Sequence, residues 1–279
     1  MRLRSLLFVP GDRADRFAKA AGSGADALIL DLEDAVAASA KDTARAAVRD
    51  WLAKEASLPR IVRINPVDGP LALDDLDALA GTRPDAIMVP KAEGQATIAA
   101  LDPLLAARGL ADVPLLPIAT ETPAAIFQLG SYAAVAHRLL GITWGAEDLP
   151  AAIGATTSRE ADGRYTAPYE LARSLTLFGA HAAGVAAIDT VYPAIRDEAG
   201  LAAYAARAAR DGFTAMMALH PAQVATINAA FTPSAEAVAR AQAIVDAFAA
   251  HPDAGVLQVD GRMVDAPHLK QARRVLARR

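Results

Sequence analysis

Eight short apolar runs recur along this 279-residue chain, and most are followed by turn residues and then by a helical pattern. The runs are Ser5–Val9, Ala27–Leu30, Arg60–Ile64, Ala86–Val89, Leu115–Ala119, Leu139–Thr143, Val185–Ile188 and Phe213–Ala218. Strands that alternate with helices favour a parallel sheet, and eight such units are typical of a (β/α)8 barrel, the TIM-barrel fold. An open doubly wound sheet is the alternative, because periodicity does not show whether the sheet closes.

The repeating units stop well before the end of the chain. We therefore predict a barrel catalytic domain over residues 1–230 and a C-terminal extension over residues 231–279. The extension contains a predicted helix, a short strand and turn, and a basic terminal helix. Because it lies outside the pattern, it is expected to pack on the barrel or on a neighbouring subunit. A long polar segment, residues 151–169, is expected to be a loop over the site or at an interface.

The composition excludes several classes of function. The chain has no cysteine, which rules out disulfides, a thiolate nucleophile and a cysteine-bound zinc site. Its formal net charge is −4 without a long basic run, so neither nucleic acid nor a membrane is expected as a partner. The N-terminal apolar run is too short for a signal peptide, and none reaches the ~18 residues of a membrane span, so we expect a cytoplasmic protein. Gly22-Ser23-Gly24 precedes a predicted strand, which argues against a dinucleotide-binding loop.

Charged and polar side chains stand at the ends of the predicted strands, where the active site of such a barrel lies. The candidates are Arg13, Glu33, Asp34, Arg63, Lys91, Glu121, Asp148, Asp189 and His220. Loops contact water and collect polar residues for that reason alone, so each candidate by itself carries little weight. Arg63 differs, because it lies in an apolar strand and needs an anionic partner there.

Glu121 and Asp148 follow two consecutive predicted strands and are each exposed by a turn. Carboxylate oxygens suit a hard cation such as Mg²⁺, so two strand ends one unit apart predict a shared metal site. Each residue could instead cap the helix that follows it. Their positions favour the metal site over capping.

Arg13, Arg16 and Lys19 recur at a spacing of three on a helix predicted from Arg13 to Ala21, with Asp12 as its cap. A solvated face is the ordinary interpretation of such a pattern. This helix begins beside the predicted site, however, and three cations there would suit the phosphate groups of a large ligand.

Eight motifs, taken in order, resemble the citrate lyase β-subunit-like (CitE-like) group of the HpcH/HpaI aldolase superfamily, which is related to malyl-CoA and citramalyl-CoA lyases. The motifs are RSLLFVPGDRADRFAKA, ALILDLEDAV, IVRINP, IMVPKAEG, IATETP, GAEDL, LHPAQV and GRMVDAPHL. They extend from Arg4 to about Ala272, which is nearly the whole chain. Each motif alone is weak, whereas eight in this order are specific.

The resemblance implies a (β/α)8 barrel, usually a homotrimer, that cleaves or forms a carbon–carbon bond in a CoA or acyl-carrier thioester. It implies Mg²⁺ as the cofactor, with Mn²⁺ as an alternative, and acyl-CoA and keto-acid substrates. Glu121 and Asp148 would bind the metal, and Arg63 would bind the keto-acid carboxylate or the enolate oxygen. Glu33 and Asp34 would hold metal-bound water.

Two further assignments implied by the resemblance concern coenzyme A and proton transfer. Arg13 and Lys19 would contact the phosphates of coenzyme A. Asp265, in the motif RMVDAP, would be the catalytic acid/base that the C-terminal extension brings to a neighbouring subunit's site. This assignment gives the extension a function that the repeating pattern alone does not.

Three other functions remain open on the sequence. A thioesterase would use the same site, with water attacking a malyl-type thioester. An aldolase of the HpaI branch would use a free aldehyde without CoA, which the cationic helix face disfavours. A non-catalytic subunit of a lyase complex would act on a carrier-bound acyl group, and the presence of Arg63, Glu121, Asp148 and Asp265 argues against an inactive scaffold.

Overall fold

The computed structural model describes residues 3–55 and 57–279, so residues 1, 2 and 56 lie outside the description. Eight of its strands are β1 (Ser5–Pro10), β2 (Ala27–Asp31), β3 (Arg60–Arg63), β4 (Ala86–Val89), β5 (Leu115–Pro117), β6 (Gly141–Thr143), β7 (Ala186–Asp189) and β8 (Ala215–Ala218). They form one parallel sheet in the order β5-β4-β3-β2-β1-β8-β7-β6. Each of the eight predicted runs overlaps one of these strands, and β1, β2 and β7 extend one residue past the predicted run.

The sheet closes where its two edge strands meet. A parallel bridge joins Ile118 to Thr143, and the backbone N–H of Ala119 donates to the carbonyl of Thr143 at 2.9 Å. The predicted (β/α)8 barrel is therefore confirmed, and the open doubly wound sheet is wrong. Closure brings together the segments after β5 and β6, which carry Glu121 and Asp148.

Helices alternate with these strands. They are α1 (Ala14–Ala21), α2 (Lys41–Leu52), α3 (Ala72–Leu79), α4 (Gln95–Ala106), α5 (Pro123–Ile126), α6 (Asp148–Ile153), α7 (Ala167–Ala183), α8 (Glu198–Asp211) and α9 (Pro221–Ala230). The predicted cap of α1 is wrong, because the helix begins at Ala14 with Arg13, not Asp12, in the capping position. The loop predicted over residues 151–169 is shorter than expected, since α6 occupies its start and α7 its end.

The strands are buried along almost their whole length, because helices cover a parallel barrel sheet on the outside and side chains fill it on the inside. One core cluster draws on most of the strands: Leu6, Ala27, Ile29, Ile61, Ala86, Met88, Leu116, Ile118, Ile188, Ala215 and Met217. This apolar layer supports the polar residues that follow the strands at their carboxyl ends.

The described chain divides into two compact units, residues 3–228 and residues 229–279. The second unit contains α10 (Ala235–Ala250), β9 (Val256–Val259), β10 (Arg262–Asp265) and α11 (Ala266–Leu276). The strands β9 and β10 form an antiparallel hairpin, and a small core of its own includes Ala241, Ile244, Val264 and Ala272. Packing of this extension on the barrel or on another subunit remains a prediction. In neither described stretch, 3–55 or 57–279, is a helix long and apolar enough to cross a membrane.

Candidate active site

A cavity of about 370 Å³ opens beside residues that end or follow the barrel strands. Asp34, Arg63, Glu121 and Asp148 line it, together with Asp31. Four of the predicted site residues are therefore brought to one place by the carboxyl ends of β2, β3, β5 and β6. Apolar side chains such as Phe8, Ile118 and Met217 complete the lining.

The guanidinium of Arg63 is held by two carboxylates. Its Nε and Nη2 donate to Oδ1 and Oδ2 of Asp31, each at 2.7 Å, and its Nη1 lies 2.9 Å from Oε2 of Glu33. The ring of Phe8 lies beneath the guanidinium, 5.0 Å from its carbon. Burial alone would lower the pKa of Arg63, but the hydrogen bonds to Asp31 and the charges of Asp31 and Glu33 raise it. Arg63 is therefore a fixed cation at the wall of the cavity.

Glu33 connects Arg63 to a second cation. Its other oxygen, Oε1, accepts from Nζ of Lys91 at 3.0 Å, and the same ammonium lies 3.3 Å from Oδ1 of Asp148. Burial raises the pKa of Glu33, and Arg63 and Lys91 offset only part of that effect. The pKa of Lys91 is also raised: burial would lower it, but the hydrogen bond to Glu33 and the neighbouring carboxylates outweigh burial. Lys91 is thus protonated between Glu33 and Asp148.

Glu121 is buried, with 4% of its surface exposed. Its Oε2 accepts from the backbone N–H of Lys91 at 2.6 Å. Burial raises its pKa to about 8, and the charges of Asp148 and Glu33 add to the rise, while the Lys91 hydrogen bond opposes it. The backbone of Gly145 lies close to this side chain: a Cβ added at Gly145 would lie 2.9 Å from Cγ of Glu121. The carboxyl group is therefore held in place, in surroundings that disfavour its charge unless a further cation is near.

The capping alternative for Glu121 and Asp148 is wrong. Thr122 caps α5, since its hydroxyl accepts from the backbone N–H of Ala125 at 3.2 Å. Asp148 is itself the first residue of α6, and Glu147 occupies the capping position. Neither carboxyl group therefore serves as a helix cap, and each has Lys91 as a neighbour instead.

The donor set suits a hard divalent cation. Carboxyl groups outnumber the cations Arg63 and Lys91 in and beside the cavity. Burial is the main cause of the raised pKa of Glu121, and the neighbouring carboxylates Asp148 and Glu33 raise it further. Within residues 3–55 and 57–279 no group of three or more histidine, cysteine or acidic residues has the arrangement of a metal site. A two-carboxylate site nevertheless fits Mg²⁺, which commonly binds through one or two carboxylates and leaves its other positions to water and substrate oxygens.

Asp31 was not among the residues predicted from the sequence, although its carboxylate is the main partner of Arg63. Asp31 is fully buried and also accepts from the backbone N–H groups of Glu33 and Ala35 at 2.9 and 3.1 Å. It is the last residue of β2, directly after the apolar stretch Ala27–Leu30. The signal that could have identified Asp31 is its position: a carboxylate at the end of an apolar strand, just before a turn that carries active-site candidates.

Asp189, which was a candidate because it follows a predicted strand, has different neighbours from the residues that line the cavity. It is fully buried and accepts from Nε1 of Trp144 at 2.6 Å and from the guanidinium of Arg173 at 2.9 Å. The hydroxyl of Tyr204 donates to it at 3.0 Å. Asp189 therefore stabilises the barrel wall next to the site, and it holds Trp144, which precedes the segment that carries Asp148.

The loop over residues 154–166 is anchored to that wall. Arg159 and Tyr165 form an antiparallel bridge, and the guanidinium of Arg159 lies over the ring of Tyr165 at 4.0 Å. Tyr165 packs edge-on against Trp144 at 5.1 Å. The loop thus lies beside the segment after β6, as expected of a loop near the site.

The predicted coenzyme A contacts lie on α1 and the turn before it. The guanidinium of Arg13 pairs with Asp15, with contacts of 2.9 and 2.8 Å. Lys19 is exposed in the last turn of the helix. Their role towards phosphates remains a prediction.

Asp265 lies in the unit formed by residues 229–279 and caps α11. Its carboxylate accepts from the backbone N–H of His268 at 3.4 Å and contacts Nδ1 of the same residue at 2.5 Å. The hydrogen bond from His268 lowers the pKa of Asp265 below its ordinary value. The resting side chain is therefore an ionised carboxylate with an imidazole beside it, which is the form a general base needs.

A profile of the HpcH/HpaI aldolase/citrate lyase family matches residues 4–221. The citrate lyase subunit beta-like protein of Mycobacterium tuberculosis is 40% identical over 273 residues, covering 98% of this chain and 94% of that protein. The (3S)-malyl-CoA thioesterase of Cereibacter sphaeroides is 36% identical over 284 residues, covering 99% and 94% of the two chains. The crystal structure of the Mycobacterium tuberculosis protein CitE in complex with magnesium, acetoacetate and coenzyme A has a TM-score of 0.83 at 38% identity, covering 99% and 98% of the two chains.

Proposed function

The chain belongs to the HpcH/HpaI aldolase/citrate lyase family, as its motifs predicted, and we propose that it is a Mg²⁺-dependent carbon–carbon lyase. Its substrate would be a 3-hydroxy-dicarboxylate thioester of the malyl-, citramalyl- or citryl-CoA type, and its products a keto acid and acetyl-CoA. The observation that carries this proposal is the pairing of Arg63 with Asp31 and Glu33 in a cavity that Glu121 and Asp148 also line.

Glu121 and Asp148 would hold the metal, and Glu33 and Asp34 would hold its water ligands. The similar CitE structure is a complex with magnesium, acetoacetate and coenzyme A, which supports the binding of a metal, a keto acid and coenzyme A by this chain. When bound, Mg²⁺ supplies positive charge that acidifies the substrate hydroxyl and orients the bond to be broken. Mn²⁺ is the alternative metal.

Arg63 would provide the fixed positive charge for the reaction. As the hydroxyl proton passes to solvent water, the carbon–carbon bond breaks. Its electron pair stays on the thioester as an enolate, and the hydroxyl carbon becomes the carbonyl of the keto acid. An enolate or a keto-acid carboxylate next to Arg63 is stabilised by a cation whose position Asp31 and Glu33 already fix. Such preorganised charge requires no rearrangement during the reaction.

Asp265 would move the proton at the enolate carbon. In the synthetic direction its carboxylate removes a proton from the thioester methyl group. In cleavage the carboxylate first takes up a proton from water and then donates it to the enolate carbon. The C-terminal extension would bring it to a neighbouring subunit's site, which requires an oligomer, and a homotrimer is the proposed state. Arg13 and Lys19 would contact the coenzyme A phosphates, and a cytoplasmic location is also proposed.

A thioesterase is the second candidate function. It is favoured by the 36% identity to a (3S)-malyl-CoA thioesterase over nearly the whole chain. The same site would then position water for attack on the thioester carbonyl, releasing free coenzyme A. A subunit that acts on a carrier-bound acyl group differs only in the carrier.

Turnover of (S)-malyl-CoA and (S)-citramalyl-CoA by the isolated chain, with Mg²⁺ and with EDTA, tests the proposal. Keto acid and acetyl-CoA that appear only with Mg²⁺ are the expected products. Free coenzyme A with an intact hydroxy acid would instead identify a thioesterase. No turnover of either compound would contradict a malyl-CoA or citramalyl-CoA lyase, and citryl-CoA and carrier-bound substrates would then be assayed.

A further inference from the structure

Lys91, directly after β4, has an unusual backbone conformation. Its φ is 50°, and within residues 3–55 and 57–279 only Asp260 shares a positive φ among the non-glycine residues. The left-handed region is disfavoured for a residue with a side chain, by roughly 1 kcal/mol or more, and it persists where surrounding contacts enforce it. Here it accompanies a 2.6 Å hydrogen bond from the Lys91 N–H to Oε2 of buried Glu121.

The side chain of Lys91 contacts two more carboxylates. Its ammonium lies 3.0 Å from Oε1 of Glu33 and 3.3 Å from Oδ1 of Asp148. One residue therefore contacts three acidic side chains, two of which are the proposed metal ligands. The contact to Asp148 is the longer one, and both partners of that contact are one-third exposed, so it is the easier of the two to break.

We propose that Lys91 is a built-in counter-cation that competes with the metal for Asp148. This inference rests on the proposed metal site. In the metal-free protein the ammonium neutralises Glu33 and Asp148, which would otherwise repel each other. When the metal binds, Lys91 gives up Asp148 and keeps Glu33. Its backbone N–H holds Glu121 in both states.

Competition of this kind sets the affinity for the metal. The metal must displace the Lys91 ammonium from Asp148 before it can bind there. Because the ammonium stays nearby on Glu33, it then repels the divalent ion across a short distance. Lys91 therefore stabilises the metal-free protein while it weakens metal binding. Removal of the Lys91 charge should therefore strengthen Mg²⁺ binding. If the side chain only positioned the metal ligands, its removal would weaken Mg²⁺ binding instead.

The test compares Lys91→Met, which keeps an unbranched side chain of nearly the same length and removes the charge, with Lys91→Arg, which keeps the charge. Titration calorimetry gives the Mg²⁺ dissociation constant of each protein, and thermal melting in EDTA gives the stability of the metal-free form. Lys91→Met is expected to bind Mg²⁺ about tenfold more tightly or better than wild type and to melt at a lower temperature in EDTA. Lys91→Arg is expected to stay close to wild type in both measurements.

Lys91→Gly provides a second charge-free variant, in which a positive φ carries no cost and the N–H to Glu121 is kept. It should also bind Mg²⁺ more tightly, even if Lys91→Met folds poorly. Unchanged or weaker Mg²⁺ binding in the folded charge-free variant would overturn the competition while leaving the metal site of the proposed function intact. Wild-type protein that does not bind Mg²⁺ at all would overturn both.

Discussion

Asp31 and Arg63 are register partners at the ends of the neighbouring strands β2 and β3, and their side chains form two parallel hydrogen bonds of 2.7 Å. Bidentate pairs of this kind fix both the position and the plane of a guanidinium. Because Asp31 is fully buried and bonded to the following turn as well, Arg63 is oriented by the strands themselves. The charge that the proposed reaction needs is thus part of the barrel framework.

Asp31→Asn should impair both stability and turnover. An amide offers one acceptor oxygen where the carboxylate accepts four hydrogen bonds, and it leaves Arg63 without its main counter-charge. Breaking a buried pair costs about 3–5 kcal/mol, and a small displacement of a positioned group can reduce kcat/KM about 100-fold. Chemical denaturation and steady-state kinetics measure the two effects.

The matched control is Asp26→Asn. Asp26 forms an equivalent bidentate pair with Arg4, with contacts of 2.8 and 2.7 Å, just before β2 begins. This variant should lose stability while the folded protein keeps its kcat/KM. An equal loss of kcat/KM in both variants would contradict a specific role for the Asp31–Arg63 pair.

Arg63→Ala should lose most of the activity, by roughly 100-fold or more, because the enolate oxygen loses its fixed positive charge. The protein should also be less stable, since Asp31 and Glu33 remain buried without this cation. Arg63→Lys restores a charge without the two-pronged geometry and should recover stability more than activity. Near-normal turnover by folded Arg63→Ala would exclude Arg63 from the reaction.

Gly145→Ala should weaken Mg²⁺ binding. A Cβ there would lie 2.9 Å from Cγ and 3.0 Å from Oε1 of Glu121, so the carboxyl group must shift. Displacing a metal ligand through its supporting neighbours typically lowers affinity about 10- to 100-fold. Gly130→Ala is the control, because its Cβ would meet nothing within 4 Å. Equal Mg²⁺ dissociation constants for both variants would place Glu121 outside the metal site.

The sequence allowed the barrel and its strand-end residues to be predicted, because hydrophobic periodicity and turn residues are local signals. The partner of Arg63 was not predicted, since Asp31 becomes its neighbour only through the register of β2 and β3. The contacts of Lys91 depend likewise on a backbone conformation that no local pattern indicates. The cap at Asp12 was wrong because the turn after β1 delays the start of α1 to Ala14.

Stability of the metal-free protein should fall as the pH rises. Glu121 has a pKa of about 8 in the folded state, against an ordinary value of 4.5, so the folded state binds its proton more tightly. The stabilisation of the folded state by protonated Glu121 is fully present below about pH 4.5 and is lost progressively up to about pH 8. Each unit of pKa shift corresponds to ~1.4 kcal/mol of folding free energy. Thermal melting in EDTA at a series of pH values measures the decline.

Bound Mg²⁺ should remove most of this pH dependence of stability, because the metal favours ionised Glu121. The dissociation constant of the protein for Mg²⁺ should decrease as the pH rises towards about 8. Glu121→Gln has no proton to lose at this position, so its melting temperature in EDTA should vary less with pH. A wild-type profile that matches Glu121→Gln across this range would show that Glu121 does not titrate there.

Asp265→Asn should bind Mg²⁺ and coenzyme A normally and fail in the chemical step. Asparagine caps helices as well as aspartate does, so α11 and the small core around it should be preserved. Without a carboxylate, however, no group at this position can exchange a proton with the enolate carbon. Isothermal titration with each ligand, together with exchange of the thioester methyl protons into deuterated water, separates binding from proton transfer.

The control is Asp253→Asn, an exposed acidic residue of the same unit. It should keep both turnover and methyl-proton exchange. Oligomers that contain both Asp265→Asn and Arg63→Ala subunits then test the subunit arrangement. If Asp265 acts on a neighbouring subunit's site, some sites in these mixed oligomers combine an intact Arg63 with an intact Asp265. The mixed oligomers should therefore regain some activity. Absence of any recovery in verified mixed oligomers, or a monomer in gel filtration, would contradict a role across subunits, and loss of Mg²⁺ binding in Asp265→Asn would contradict its assignment to proton transfer.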